Sequence, residues 1–273
     1  MMSYLHCSQI SDTPSEQQDS RRNRLDWRLA SGRPLLTCYF PVGDPAMPPE
    51  LLRIYADCGV DVVELGLPTA DPFMDGAAVR NAMARGAANP DIYPALAATA
   101  GVVRSIDGGP AVLCMSYTAI DLDAFLQCAA LPLLDGLLML GLDACPRRDE
   151  ILAVSRHHDI RQVRFVDWEL DPAAVEAARA SEAYLMLQAA PGPTGARQML
   201  DPRNALHIKQ LRARGLAQPI LLGFGISTPQ QAAEAVAMGA NGVVIGSRCL
   251  QLAQQGPEVL SGFLRAVRES LDG

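Results

Sequence analysis

Glu64 stands inside an otherwise aliphatic run, Val62-Val63-Glu64-Leu65-Gly66. A charged and unpaired carboxylate in such a setting costs several kcal/mol, so the position asks for a reason. Either Glu64 is a structural acid that caps a neighbour's amides, or it is an acid whose raised pKa serves proton transfer. The run continues into Leu67-Pro68-Thr69-Ala70-Asp71-Pro72-Phe73-Met74-Asp75-Gly76, which brings further carboxylates close behind it. A second kind of signal lies in the C-terminal half, in Gly192-Pro193-Thr194-Gly195, Gly223-Phe224-Gly225-Ile226-Ser227 and Gly246-Ser247. Glycines in such turns let backbone amides approach a phosphate, and a short helix beginning after the last would add its N-terminal dipole. Taken one at a time, each is also readable as an unrelated tight turn.

The scarce residues narrow the chemistry. Lys209 is the single lysine among 23 basic side chains, and it sits in a helical pattern where no Schiff base is expected. The four histidines are His6, the adjacent pair His157 and His158, and His207, and none forms a metal-ligand spacing with cysteines or carboxylates. The seven cysteines contain no CxxC and lie mostly among aliphatic residues, which suits small buried hydrophobes. The expectation is acid/base catalysis by carboxylates on a phosphorylated small molecule, with neither cofactor nor metal.

Eight aliphatic runs could position these residues: 34–40, 60–66, 110–116, 135–140, 160–166, 183–188, 219–224 and 242–246. Helical stretches separate and follow them at 48–58, 77–87 with 92–103, 122–130, 147–157, 172–180, 202–214, 229–238 and 257–271. Asp171-Pro172 and Ser227-Thr228-Pro229 supply helix-start signals, a capping oxygen followed by a first-turn proline. The strand runs do not alternate, as expected when helices bury both faces of a parallel sheet. No GxGxxG turn follows Phe40, so a closed (β/α)8 TIM barrel over residues 23–273 is predicted rather than an open dinucleotide-binding sheet. Residues 1–22 read as a mobile polar tail. In this barrel, reactive groups gather at the C-terminal ends of the strands, which is where Glu64 and the three glycine turns fall and why catalysis is favoured for Glu64.

The chain has 273 residues, 49% of them hydrophobic and 19% charged, enough to bury a large core unaided. Its net charge of −7 and lack of a cationic cluster make nucleic acid and anionic membrane poor partners. No apolar run reaches a membrane span and the N-terminus has no secretory core, so a cytoplasmic location is expected.

From about Arg24 to its end the sequence resembles the tryptophan synthase α subunit family. The resemblance rests on Val42-Gly43-Asp44-Pro45, on Glu64-Leu65-Gly66 through Asp71-Pro72 to Asp75-Gly76, and on the three glycine turns, in that order. It implies cleavage of indole-3-glycerol phosphate to indole and glyceraldehyde 3-phosphate. Glu64 would then be the proton-transferring acid/base, and Asp75 the carboxylate facing the indole nitrogen. Thr194 would be a mobile-loop residue that bonds Asp75 on closure, and Tyr117 a pocket tyrosine. Gly195, Gly223, Gly225, Gly246 and Ser247 would hold the phosphate. Met115, Leu138 and Val244 would be either ring-packing walls or ordinary core.

The sequence also departs from the family pattern. Pro41, Met186 and Gly141 replace an expected threonine, tyrosine and acidic residue, and Asp167-Trp168 stands where a Pro/Thr-rich turn is common. The segment from Tyr117 to Asp123 is short and lacks asparagines, which implies weak or absent docking on a tryptophan synthase β subunit. Two other readings therefore stand beside the lyase: a related enzyme for a modified indolyl or aryl glycerol phosphate, and a non-catalytic subunit that binds the phosphate ligand.

Overall fold

The computed structural model describes residues 23–273; the proposed N-terminal tail lies outside them. Eight parallel strands close into one barrel in sequential order. They are β1 (Leu35–Pro41), β2 (Val62–Gly66), β3 (Ala111–Tyr117), β4 (Gly136–Leu140), β5 (Arg161–Val166), β6 (Leu185–Gln188), β7 (Ile220–Gly223) and β8 (Gly242–Ile245). Every residue is buried in all of them but β5, because one face fills the barrel and the other lies under helices. This is why the runs show no alternation in sequence.

Helices pack outside: α1 (Arg24–Ala30), α2 (Leu52–Asp57), α3 (Ala77–Gly86), α4 (Ile92–Arg104), α5 (Leu122–Leu126), α6 (Arg148–His157), α7 (Pro172–Ala178), α8 (Arg203–Ala213), α9 (Pro229–Ala237), α10 (Ser247–Ala253) and α11 (Pro257–Asp272). Both anticipated starts are present. Asp171 accepts hydrogen bonds from the amides of Ala173 and Ala174, and Thr228 with Gln231 forms a reciprocal capping box over α9. The stretch expected as one helix over 122–130 is instead α5 followed by a single turn of 3-10 helix, Leu131–Leu133. Pro132 stands at the second position of that turn, where its missing amide costs no helical hydrogen bond.

Helix α1 was not anticipated. Asn23 caps it, accepting from the amides of Leu25 and Asp26, while its own amide nitrogen donates to the carbonyls of Asp135 and Asp159. The helix thereby seals the N-terminal end of the barrel, with Leu25 wholly buried and lying beside the bare Cα of Gly136. Carboxylates on this floor are fully engaged. Asp61 accepts from the Leu36 amide, from Arg268 at 2.9 Å and from Arg33 at 2.6 Å. Asp135 accepts from the amides of Arg24 and Val112 and pairs with Arg104 at 2.9 Å. These are structural acids, each placed just before a strand.

Candidate active site

At the opposite end of the barrel the carboxylates are treated differently. A cavity of about 660 Å³ opens there, lined by inward side chains of seven strands and by the loops after β2, β6, β7 and β8. Tyr39 and Glu64 are cross-strand partners in register, as are Met115 with Leu138 and Phe165 with Met186. All six line the cavity, as does Val244.

Glu64 is 4% exposed, and its Oε1 has no hydrogen-bond partner. Burial first, and the neighbouring Asp75 second, push its carboxyl up to about 8. Asp75 is equally buried, yet it is well supplied: the Tyr117 hydroxyl donates to Oδ2 at 2.6 Å and the Thr194 hydroxyl to Oδ1 at 3.3 Å. Burial raises Asp75, while those two hydrogen bonds and the nearby Arg80 pull it back toward the charged form. Both carboxyls are therefore raised, and they differ in their supply: Asp75 is hydrogen-bonded at both oxygens, whereas one oxygen of Glu64 has no partner.

The segment between β6 and α8 lies across the cavity. The Thr194 amide donates to the Met74 carbonyl at 3.0 Å, and its hydroxyl accepts from the Gly76 amide at 2.7 Å. A Cβ at Gly76 would run into the Thr194 carbonyl oxygen, so the glycine is what allows these two loops to touch. The far side is held by Arg197, whose amide donates to the Gly225 carbonyl and whose carbonyl accepts from Gln231. Its guanidinium closes back on the carbonyls of Pro191 and Pro193. Gln188 ties the segment's base, donating to the Gly192 carbonyl while accepting from the Trp168 amide.

The expected site residues fall as follows. Glu64, Asp75, Thr194, Gly195, Gly225, Gly246 and Ser247 all line the cavity. The buried Ser247 hydroxyl has no partner. Tyr117 stands behind Asp75 and acts on it, with Phe73 packed edge-on to its ring at 5.1 Å. Gly223 is not on the wall: a Cβ there would meet the Met186 side chain, so this glycine makes room inside the barrel. The helix after β8 begins at Ser247 and is seven residues long. Lys209 is exposed on α8, and His157 and His158 end α6.

Among the wall residues that sequence reasoning missed are Tyr39, Leu140, Phe165, Arg248 and the ring of Phe224. Phe224 holds a left-handed backbone (φ 72°), unusual for a bulky residue, and packs 5.7 Å from Phe165. Its position between two glycines was the available signal. Tyr39 had one too, a phenol in an aliphatic strand adjacent to that of Glu64.

A (β/α)8 barrel with two differently supplied carboxylates and a loop-covered cavity at its C-terminal mouth defines a class of acid/base enzymes. Comparison with known proteins narrows this. Residues 27–269 match the sequence model of the Tryptophan synthase alpha chain family. The chain is 33% identical over 269 residues to the tryptophan synthase alpha chain of Laribacter hongkongensis, covering 92% of this chain and 99% of that one. It is 30% identical over 253 residues to that of Geobacter sulfurreducens, covering 88% and 94%. Among solved structures, tryptophan synthase of Mycobacterium tuberculosis superposes with a TM-score of 0.75 at 25% identity, over 92% of this chain and 97% of that one. The alpha subunit of Legionella pneumophila gives 0.75 at 24%, a likeness of fold. The chain belongs to the tryptophan synthase alpha chain family.

Proposed function

We propose that this protein cleaves indole-3-glycerol phosphate to indole and glyceraldehyde 3-phosphate. The observation that carries the reading is Glu64, a buried carboxyl with a free oxygen at the centre of an apolar cavity. Held near 8, it is protonated at neutral pH and can give its proton to C3 of the indole ring. The protonated ring is an electron sink. The bond between C3 and the side chain then breaks, its electron pair returns to the ring, and the side-chain hydroxyl loses its proton to the Glu64 carboxylate as its oxygen becomes a carbonyl. Asp75, steadied by Tyr117 and Thr194, faces the ring nitrogen and stabilises the cation that develops there. The amides around Gly195, Gly225 and Gly246, with the unpartnered Ser247 hydroxyl, hold the phosphate. Gly223 contributes by admitting Met186 to the floor beneath it.

The ring region, with Met115, Leu138, Leu140, Phe165 and Met186, offers aliphatic and aromatic surface, which favours an unsubstituted indole over a hydroxylated one. Loop closure through Thr194 and Arg197 is complete within the single chain, which supports turnover that does not depend on a β subunit. Purified protein incubated alone with indole-3-glycerol phosphate is expected to release indole, and Glu64→Gln to release almost none. Full activity in that variant would refute the assignment. Ligand binding with no turnover by the unaltered protein would instead favour the non-catalytic subunit.

A further inference from the structure

Tyr39 is a polar residue of the cavity wall for which the proposed reaction, as set out above, gives no task. It points inward from β1 opposite Glu64, and it is buried with a hydroxyl that bonds nothing in the structure. The ring tip is seated over Gly66, the last residue of β2, where any Cβ would overlap its terminal ring carbons and hydroxyl. A glycine at the tip of one strand thus makes space for a phenol from the next. Burying an unpartnered hydroxyl opposes folding, so its retention in a packed wall points to a partner that arrives with the ligand.

The chemistry of that partner follows from what a phenol can do here. Burial, with Asp75 and Glu64 adding to it, holds Tyr39 well above the ordinary phenol range, so it keeps its proton and offers it as a hydrogen-bond donor. The indole N–H is itself a donor and faces Asp75, which leaves it no use for a second donor. The acceptor at this end of the substrate is the oxygen on the carbon whose bond breaks. We propose, building on the lyase reading, that the Tyr39 hydroxyl donates to this oxygen and stabilises it as it turns from hydroxyl to carbonyl. The hydroxyl's own proton goes to Glu64, the bonding pair returns to the ring, and Tyr39 ends the cycle unchanged. It is a catalytic residue in the sense that it touches the reacting oxygen.

Tyr39→Phe isolates the hydroxyl, since the ring that fills the space over Gly66 remains. The expected outcome is a fall in kcat of about 10- to 100-fold, with KM for indole-3-glycerol phosphate within about threefold of the unaltered value. Thermal unfolding should occur at no lower temperature, because the variant removes a buried polar atom that lacks a partner. The pH midpoint of kcat should stay where it was. Unchanged kcat would overturn the proposal. So would a loss accompanied by a shifted midpoint, which would place the hydroxyl on Glu64 instead of on the substrate. The unaltered protein, assayed in parallel, separates this from failure of the lyase reading itself: without indole release from it, the parent assignment falls first.

Discussion

A carboxyl held near 8 carries its proton across the neutral range, and the direction of its pH effects follows from that. As a donor, Glu64 is competent below about 8 and loses its proton above it, so kcat should fall as pH rises through that value. The linkage to stability has the same sign. The folded state holds a proton that the unfolded chain releases near the ordinary carboxylate value, so stability declines as pH climbs from that value toward 8. Glu64→Gln removes both effects: turnover should drop about 10²- to 10⁴-fold. Its stability relative to the unaltered protein should improve with rising pH, by at most about 1.4 kcal/mol per pH unit. Denaturant melts from pH 5 to 9 would show this slope, and parallel curves for the two proteins would contradict the burial of a titrating acid at this position. Asp75 needs a different treatment because Tyr117 and Thr194 already serve its charged form.

Between elements, the decisive contact joins two loops. Gly76 opens α3, and its Cα lies against the Thr194 carbonyl, with the Gly76 amide bonding the Thr194 hydroxyl. Gly76→Ala has ordinary backbone angles to adopt (φ −83°), so the helix itself should tolerate it. The added methyl must push the covering segment away, which removes Thr194 from Asp75 and opens the cavity to water. We expect kcat/KM to fall about tenfold or more with a nearly unchanged melting temperature. Faster proteolysis between residues 190 and 200 would report the opening, and wild-type kinetics with a protected segment would argue that the loop does not govern turnover. Gly225 differs. Its φ of 107° and its contact with the Arg197 stem tie it to the other end of the same segment.

Over the whole molecule, the two ends of the barrel divide stability from chemistry. Asp61 is fully buried among Arg28, Arg33 and Arg268, far along its strand from the mouth. Asp61→Ala leaves the Leu36 amide and Arg28 without their acceptor, while Arg268 keeps Asp272 and Arg33 is partly exposed, and it should cost about 1–3 kcal/mol of stability. At a temperature where the variant is folded, its kcat and KM should match those of the unaltered protein. A selective loss of kcat would show that the floor communicates with the site. The short segment within Tyr117 to Asp123 that joins β3 to α5, residues 118–121, bears on assembly. A specific interface needs roughly 1,200 Å² or more of buried surface, and trimming a loop removes area and polar anchors. Gel filtration with a tryptophan synthase β subunit is expected to give weak or no complex, and indole release should be the same with and without it. A stable complex with strong activation would show that docking rests on other surfaces.

Much of this architecture was written locally. Eight aliphatic runs separated by helical stretches needed only hydrophobic pattern and turn residues to be recognised, and a closed parallel barrel follows from their number and lack of alternation. Glu64 was conspicuous because a carboxylate within an aliphatic strand is costly wherever that strand goes. The extra helix α1 escaped notice because its single wholly buried side chain, Leu25, gives no periodic stripe. What only the closed tertiary structure decided is which acids are paired and which is left facing a cavity. Asp61, Asp135 and Glu64 all lie in or beside strands, but barrel closure brings arginines and strand amides to the first two and leaves Glu64 facing a cavity. Likewise Gly76 is a glycine because of Thr194, and Gly66 because of Tyr39, partners that chain order holds far apart. Sequence fixes a side chain's own chemistry and its local period; its pKa, its hydrogen-bond partners and the space it must vacate depend on neighbours that are assembled only when the strands close.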